Sequence, residues 1–376
     1  MAYTPKVPWF RRDFLVSEQH LNPTEDISQS ATGTVDRQKI QVHQFQRRPF
    51  PGWFSVERLF ENVRNHLPDD IDVSVLVNRR PNKGFLPRLL DAFDARLASG
   101  EVNHVLGDVH YVAWFLPRRR TLITVLDCVP LERMKGVRRF VIWLLWYWWP
   151  LKRTAYVVVI SEFTRQSLLK WVNYPEDKII VIPPAVSHKF IYSRPRPHHE
   201  WSRILQIGST ENKNILRIIE ALEGLDVTLV MIGQLSDPVR KALETRHINY
   251  ESHAHVDDEA LLMHFRSADI LAFPSTYEGW GMPIIEAQAT GRPVVTGNVA
   301  SMPEAAGGAA CLVDPFDVSS IRAGFVRVLN DKAYAHALIE AGRANARKYG
   351  EKEVANRYAD LYRKISEASK ADRASH

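Results

Sequence analysis

Two glutamates eight positions apart, Glu278 and Glu286, enclose the run Gly279-Trp280-Gly281-Met282-Pro283-Ile284-Ile285. Proline suits the first turn of a helix, where its missing N–H leaves no bond unmade, so a helix is expected from Pro283 to Gly291. The start of such a helix offers N–H groups and a partial positive charge, which together seat a phosphate or diphosphate. Gly279 and Gly281 let the backbone approach a ligand closely. A carboxylate on either side of that seat accepts hydrogen bonds from hydroxyls, one set on a ribose and the other on a sugar ring. An ordinary strand-to-helix turn with two capping glutamates has the same spacing, so the surrounding chain has to decide between them.

That chain is a series of short apolar runs alternating with helical patterns. The runs KIQVHQF (39–45), IDVSVLV (71–77), VNHVLG (102–107), TLITVLD (121–127), YVVVIS (156–161) and KIIVIPP (178–184) suit parallel strands buried on both faces. SRPRPHHEWSR has no periodicity and reads as a linker. The rhythm then restarts with RILQIGS, VTLVMIG, ADILAFPS, PVVTG and ACLVD. Two successive βαβ arrays predict an α/β chain of two Rossmann-like domains. The expected boundaries are an irregular extension over 1–38, a first domain over 39–192 and a linker over 193–202. A second domain follows over 203–348, and a C-terminal helix over 349–376 crosses back to the first.

With these elements in place, the segment from Val256 to Asp317 around the two glutamates resembles the donor-binding half of retaining glycosyltransferases of family 4. So do ISEFTRQSLLKW before the linker, VIPPAV leading into it and ILQIGSTENKNILRIIEAL after it. The resemblance implies a GT-B fold, two Rossmann-like domains with a nucleotide sugar, UDP- or GDP-linked, in the cleft between them. By that match Glu286 holds the ribose hydroxyls and Glu278 contacts the donor sugar. Gly281, Met282 and Pro283 lie against phosphates and sugar, and Lys213 carries the cation on the diphosphate. A lysine there neutralises the leaving group as the glycosidic bond breaks. Family members of this fold generally do without a bound metal, and the chain has no DxD-like pair in a suitable loop and no His/Glu cluster at metal spacing. No metal and no cofactor are expected; the implied activity is transfer of a hexose to a glycan or polyprenyl-linked acceptor in surface-polysaccharide synthesis.

Three positions depart from the family pattern. Ser209 stands where an arginine often accompanies the lysine. Gly52 is single where many members carry a glycine pair, and Arg47 or Arg48 are the nearby cations. Leu126 replaces a histidine at the end of the fourth strand. His110, after the preceding strand, could reach the same cleft, or pack against Trp114 or Tyr111. Asp127 is the other carboxylate at that edge, or a cap on the turn before Pro130. These departures keep a non-catalytic sugar-nucleotide-binding or scaffold protein open as the alternative.

The totals fit this picture. A chain of 376 residues exceeds what one core usually supports. Two cysteines, Cys128 and Cys311, form no disulfide framework and suit a reducing cytoplasm. The N-terminus has no apolar stretch of signal-peptide length and no segment is long enough to span a membrane, so a soluble or peripheral protein is expected, at the inner face of the plasma membrane if peripheral. Residues 1–200 carry 29 Lys and Arg against 20 Asp and Glu, and residues 201–376 carry 20 against 23. Within the basic half, RRFVIWLLWYWWPLKR (138–153) holds four of the ten tryptophans, flanked by cations. It reads either as a helix under the sheet or as a contact with an anionic membrane surface. Nucleic acid is not expected, because the cations flank the aromatics rather than interleave with them.

Overall fold

The computed structural model describes residues 39–48, 55–80, 84–194 and 202–374. The first sheet comprises β1 (Ile40–Gln46), β2 (Ile71–Val77), β3 (Val102–Val105), β4 (Thr121–Val125), β5 (Tyr156–Val159) and β6 (Ile179–Val181). The second comprises β7 (Ser202–Ile207), β8 (Val227–Ile232), β9 (Asn249–His253), β10 (Ile270–Phe273), β11 (Val294–Gly297) and β12 (Cys311–Val313). The orders are β2-β1-β3-β4-β5-β6 and β12-β11-β10-β7-β8-β9, and the pairings are parallel, as Ile204↔Leu229 and Ile270↔Ile204. Strand order reverses between β1 and β3 in one sheet and between β7 and β10 in the other. In open α/β sheets the crevice beyond the strands' C-terminal ends at such a reversal is where ligands bind.

The apolar runs fall on eleven of these strands. The twelfth, β9, has the sequence NYESH and no fully buried residue. It is the last strand of its sheet, and such an edge position needs no apolar run. The extension over 1–38, Gly52 and most of the linker lie outside the described residues.

Each sheet has a core on both faces. One face of the first is closed by Tyr111, Trp114, Tyr147 and Leu151. The other is closed by the long final helix Glu351–Ala374, whose Tyr358, Tyr362 and Ile365 pack with Val42, Phe60 and Leu122. His104 joins that helix to the sheet: Nδ1 lies 2.8 Å from the Tyr362 hydroxyl and Nε2 2.8 Å from Thr124 Oγ1. Burial pushes its pKa down to about 3, so it is a neutral strut. The final helix thus follows the second domain in sequence and completes the first.

Candidate active site

The second domain builds the site from the ends of β7 and β10. After β7, Gly208 takes φ +92° and turns the chain so that the Lys213 side chain passes beneath it; a Cβ on Gly208 would lie 2.8 Å from Lys213 Cε. Asn214, in the left-handed region at φ 61°, starts the helix Ile215–Leu222. Its amide donates to the carbonyls of Pro274 (2.9 Å) and Pro315 (2.6 Å), tying the loop to the end of β10. Lys213 is thereby aimed across the switch-point crevice. Its Nζ lies 2.7 Å from Glu278 Oε1 and 4.6 Å from the centre of the Phe273 ring. Asn212 Nδ2 donates to the same Glu278 oxygen at 3.2 Å and to the Tyr277 carbonyl at 2.9 Å. Ser301 Oγ donates to the carbonyls of Glu278 and Trp280, each 2.9 Å away, and fixes the loop from below.

The helix begins at Met282, with Gly281 as its N-cap at φ 109°, and ends at Thr290 before Gly291 at φ 77°. Pro283 is its second residue. The Ile284 N–H is taken by the Gly281 carbonyl, and Pro283 has none, while the Met282 N–H has no backbone partner outside the helix among the described residues and is open to a ligand. Glu286 lies one turn in, and its carboxylate has no hydrogen-bond partner among the described residues. Burial raises its pKa to about 7, assisted by Asp258 and opposed by Lys213. Ser209 follows Gly208 and packs against Gly233, whose missing Cβ would lie 3.3 Å from Ser209 Oγ. Trp280, between the two glycines, is buried in the second domain's core against Tyr349, ring centres 5.2 Å apart.

Gly279 has a different role from the one expected. A Cβ there would lie 2.8 Å from the Leu126 carbonyl oxygen and 3.8 Å from Asp127 Cβ. Its missing side chain therefore admits the end of β4, and the first domain's backbone rather than a ligand fills the gap. Asp127 consequently borders the loop that carries Glu278. Its Oδ1 accepts the Val129 N–H at 3.0 Å, capping the turn, and burial raises its pKa.

His110 does not reach this group. It is buried beneath the aromatic segment, with Nδ1 donating to the Trp146 carbonyl at 2.8 Å and its ring edge-on to Tyr147. Its packing neighbour is Tyr147 rather than Trp114 or Tyr111, and burial lowers its pKa. Arg47 is held by Glu57 (2.8 Å) and Asp108 (3.2 Å), while Arg48 is exposed.

Two contacts between the domains had no mark in the sequence. The Glu304 carboxylate accepts the N–H groups of Glu162 (2.9 Å) and Phe163 (3.4 Å), capping the helix Glu162–Trp171 of the first domain from the second. Arg58 pairs with Asp258 at 2.6 Å across the cleft, next to the element bearing Glu286. Their partners lie 142 and 200 positions away, beyond any local pattern.

Two facing Rossmann-like domains with this charged crevice define the GT-B class. Residues 197–345 match the family described as Glycosyl transferases group 1. It is 31% identical over 219 residues to the O-antigen chain mannosyltransferase B of Escherichia coli, covering 51% of this chain and 56% of that protein. The chain spans about half the length of the first curated relatives it matches. Among solved structures, sucrose-phosphate synthase from Thermosynechococcus elongatus superposes with a TM-score of 0.70 at 18% identity, over 88% of this chain and 100% of that one. Anabaena HepE in complex with UDP and glucose superposes with a TM-score of 0.67 at 14% identity, over 86% and 99%. Both share the fold with this chain.

Proposed function

We propose that the protein is a retaining glycosyltransferase. It would move a hexose from a UDP- or GDP-linked donor to a glycan or polyprenyl-linked acceptor in surface-polysaccharide synthesis. The observation that carries this reading is the Lys213–Glu278 pair set against the start of the helix Met282–Thr290. Lys213 and the helix start supply positive charge where a diphosphate leaves. Glu278 orients the donor sugar, and Glu286 accepts from the ribose hydroxyls. The sugar's anomeric bond to phosphate breaks as its bond to the acceptor oxygen forms on the same face, and the acceptor proton goes to the departing phosphate oxygen. Asp127, brought to the loop by Gly279, stands on the acceptor side. Mannose is the favoured hexose because the Escherichia coli relative is named a mannosyltransferase. A non-catalytic scaffold has no physical use for a lysine and two carboxylates held in this crevice.

The surface of the first domain supports a membrane-borne acceptor. In the segment 138–153 only Tyr147, Pro150 and Leu151 are buried, so it is neither a core helix nor a detached one. Trp148 and Trp149 are 40% and 39% exposed, and Phe140 is 57% exposed. The helix Phe85–Leu97 continues this face with Phe85, Leu86, Phe93 and Leu97 exposed. The two are joined because Phe85 and Trp149 both pack on Trp114, and Arg88 lies over the Trp146 ring. Exposed aromatics among Arg118, Arg119, Lys135, Arg138 and Lys152 suit an anionic headgroup layer. Among the described residues no helix is long and apolar enough to cross a membrane.

A thermal-shift series with UDP, GDP, ADP, CMP and dTDP tests the donor site. A ligand at a hundredfold its Kd adds about 2.7 kcal/mol of apparent stability. One nucleotide is expected to stabilise the wild type and to lose that effect in Glu286→Ala. If none stabilises it, the donor reading fails and the scaffold reading replaces it.

A further inference from the structure

Where the chain passes between the two domains, three side chains from distant parts of the sequence converge. His66 follows the helix Ser55–Asn65, His188 lies in the crossing after β6, and Glu351 opens the final helix. Glu351 Oε2 is 2.6 Å from His188 Nδ1 and 3.4 Å from His66 Nε2. One ligand atom from each residue falls within 4.8 Å of the others, and among the described residues this is the one such His/Cys/Asp/Glu group. The cluster has no sequence signature: its members are 122 and 163 positions apart and meet only in the fold.

The hydrogen bonds fix how His66 presents itself. Its Nδ1 lies 2.9 Å from the Asn62 carbonyl oxygen. A carbonyl only accepts, so Nδ1 carries the proton. In the neutral ring the Nε2 lone pair then faces the carboxylate oxygen of Glu351, acceptor against acceptor, with the Glu351 side chain only 7% exposed. A cation placed between them removes that repulsion. An imidazole whose Nδ1–H is tied to a backbone carbonyl is also the usual support for a metal-ligating Nε2. His188 is 72% exposed, and a cavity of about 300 Å³ borders it and Glu351. The third ligand can therefore close on an ion arriving from solvent, leaving a coordination position for water.

We propose that His66 Nε2, His188 Nδ1 and the Glu351 carboxylate bind a borderline divalent transition cation, with Zn2+ the representative, at the hinge. Two histidines, one carboxylate and an open position are a known zinc ligand set. The two passages of the chain between the domains run side by side here: Val186 and Gly350 form a bridge, and the Val186 N–H donates to the Tyr349 carbonyl at 2.9 Å. A bound ion ties the first domain's helix to both passages and stiffens the pivot about which the cleft opens. This role is separate from the donor chemistry and does not depend on it.

The test uses untagged, metal-stripped full-length protein, titrated with Zn2+ by calorimetry and with Co2+ by visible absorption. One ion per chain is expected, with ligand-field bands for Co2+ that Zn2+ abolishes. His66→Ala, His188→Ala and Glu351→Gln should each weaken Zn2+ binding about 10- to 100-fold. His188→Ala removes an exposed side chain, so it reports even if the other two lose stability. Failure of the wild type to bind one Zn2+ overturns the proposal, since the cluster is then only a hydrogen-bonded contact between the domains. Retention of wild-type affinity by His188→Ala overturns it as well. Because neither readout involves a nucleotide, a failed donor assay leaves both outcomes interpretable.

Discussion

Lys213 Nζ lies 2.7 Å from Glu278 Oε1, at the two strand ends that flank the order reversal of the second sheet. Both side chains are mostly buried, at 17% and 15% exposure, so each charge depends on the other for its partner until a ligand enters. An incoming diphosphate competes with Glu278 for Lys213 and releases the carboxylate toward the sugar. Lys213→Ala is expected to lower turnover about 100- to 1,000-fold, as removal of a single oxyanion-stabilising donor does. Lys213→Ala combined with Glu278→Ala should cost less than the sum of the two singly, because each single change leaves a buried unpaired charge. Additive effects in steady-state kinetics would show that the pair does not act as a unit.

Glu286 supplies a pH signature. Its pKa is raised from an ordinary 4.5 to about 7, chiefly by burial. Between those values the folded protein holds a proton that the unfolded chain releases, so stability falls as pH rises through this window. Nucleotide affinity should move the opposite way, because ribose hydroxyls donate to the ionised carboxylate. Melting temperatures from pH about 5 to about 8, with and without nucleotide, should show both trends in the wild type. Glu286→Gln should flatten both.

Gly279→Ala places a methyl group 2.8 Å from the Leu126 carbonyl. The domains must then separate at the point where Asp127 meets the donor loop. A loss of about 100-fold in kcat/KM is expected, since displacements of about 1 Å at a reacting centre cost that much. The nucleotide-induced thermal shift should persist, because the donor-binding groups belong to the second domain. Loss of that shift would place the glycine in the donor pocket instead.

Glu304→Ala leaves the first turn of the helix Glu162–Trp171 without the carboxylate that receives two of its N–H groups. Loss of such a cap costs about 0.5–2 kcal/mol, and here it falls on the contact between domains. Urea denaturation should show that loss, with partial recovery in Glu304→Gln, which keeps an acceptor oxygen.

The apolar face of the first domain predicts sedimentation with vesicles containing anionic lipid and little with neutral ones. Phe85→Ser combined with Leu97→Ser removes two of its most exposed apolar side chains, at 59% and 86%. It should weaken vesicle binding several-fold and leave the melting temperature within about 1–2 °C, because neither side chain is in the core. Equal binding of this variant and the wild type would remove the membrane reading.

Much of this fold is legible along the chain. A strand buried on both faces has to be apolar, so central strands announce themselves in VTLVMI and ILAF; the edge strand β2 is apolar as well although largely exposed, while β9 at another edge carries no apolar run. The donor loop is legible for a local reason as well: Gly281, Pro283 and Gly291 are backbone requirements of one turn and one helix. His110 was not, because a polar residue after a strand is compatible with a cleft or with a buried carbonyl partner, and the deciding Trp146 carbonyl is 36 positions away.

The two βαβ arrays, a helix with Pro283 in its first turn and the chemical types available to a donor site can be read along the chain, because periodicity and turn chemistry act over a few residues. Which groups meet is settled by packing within and between the domains. Folding paired Lys213 with Glu278 across 65 positions, turned Gly279 toward the first domain, and capped that domain's helix with Glu304. It also gathered His66, His188 and Glu351 at the hinge. These contacts depend on how two sheets pack against each other and on the return of the final helix, and no short stretch of chain carries that information.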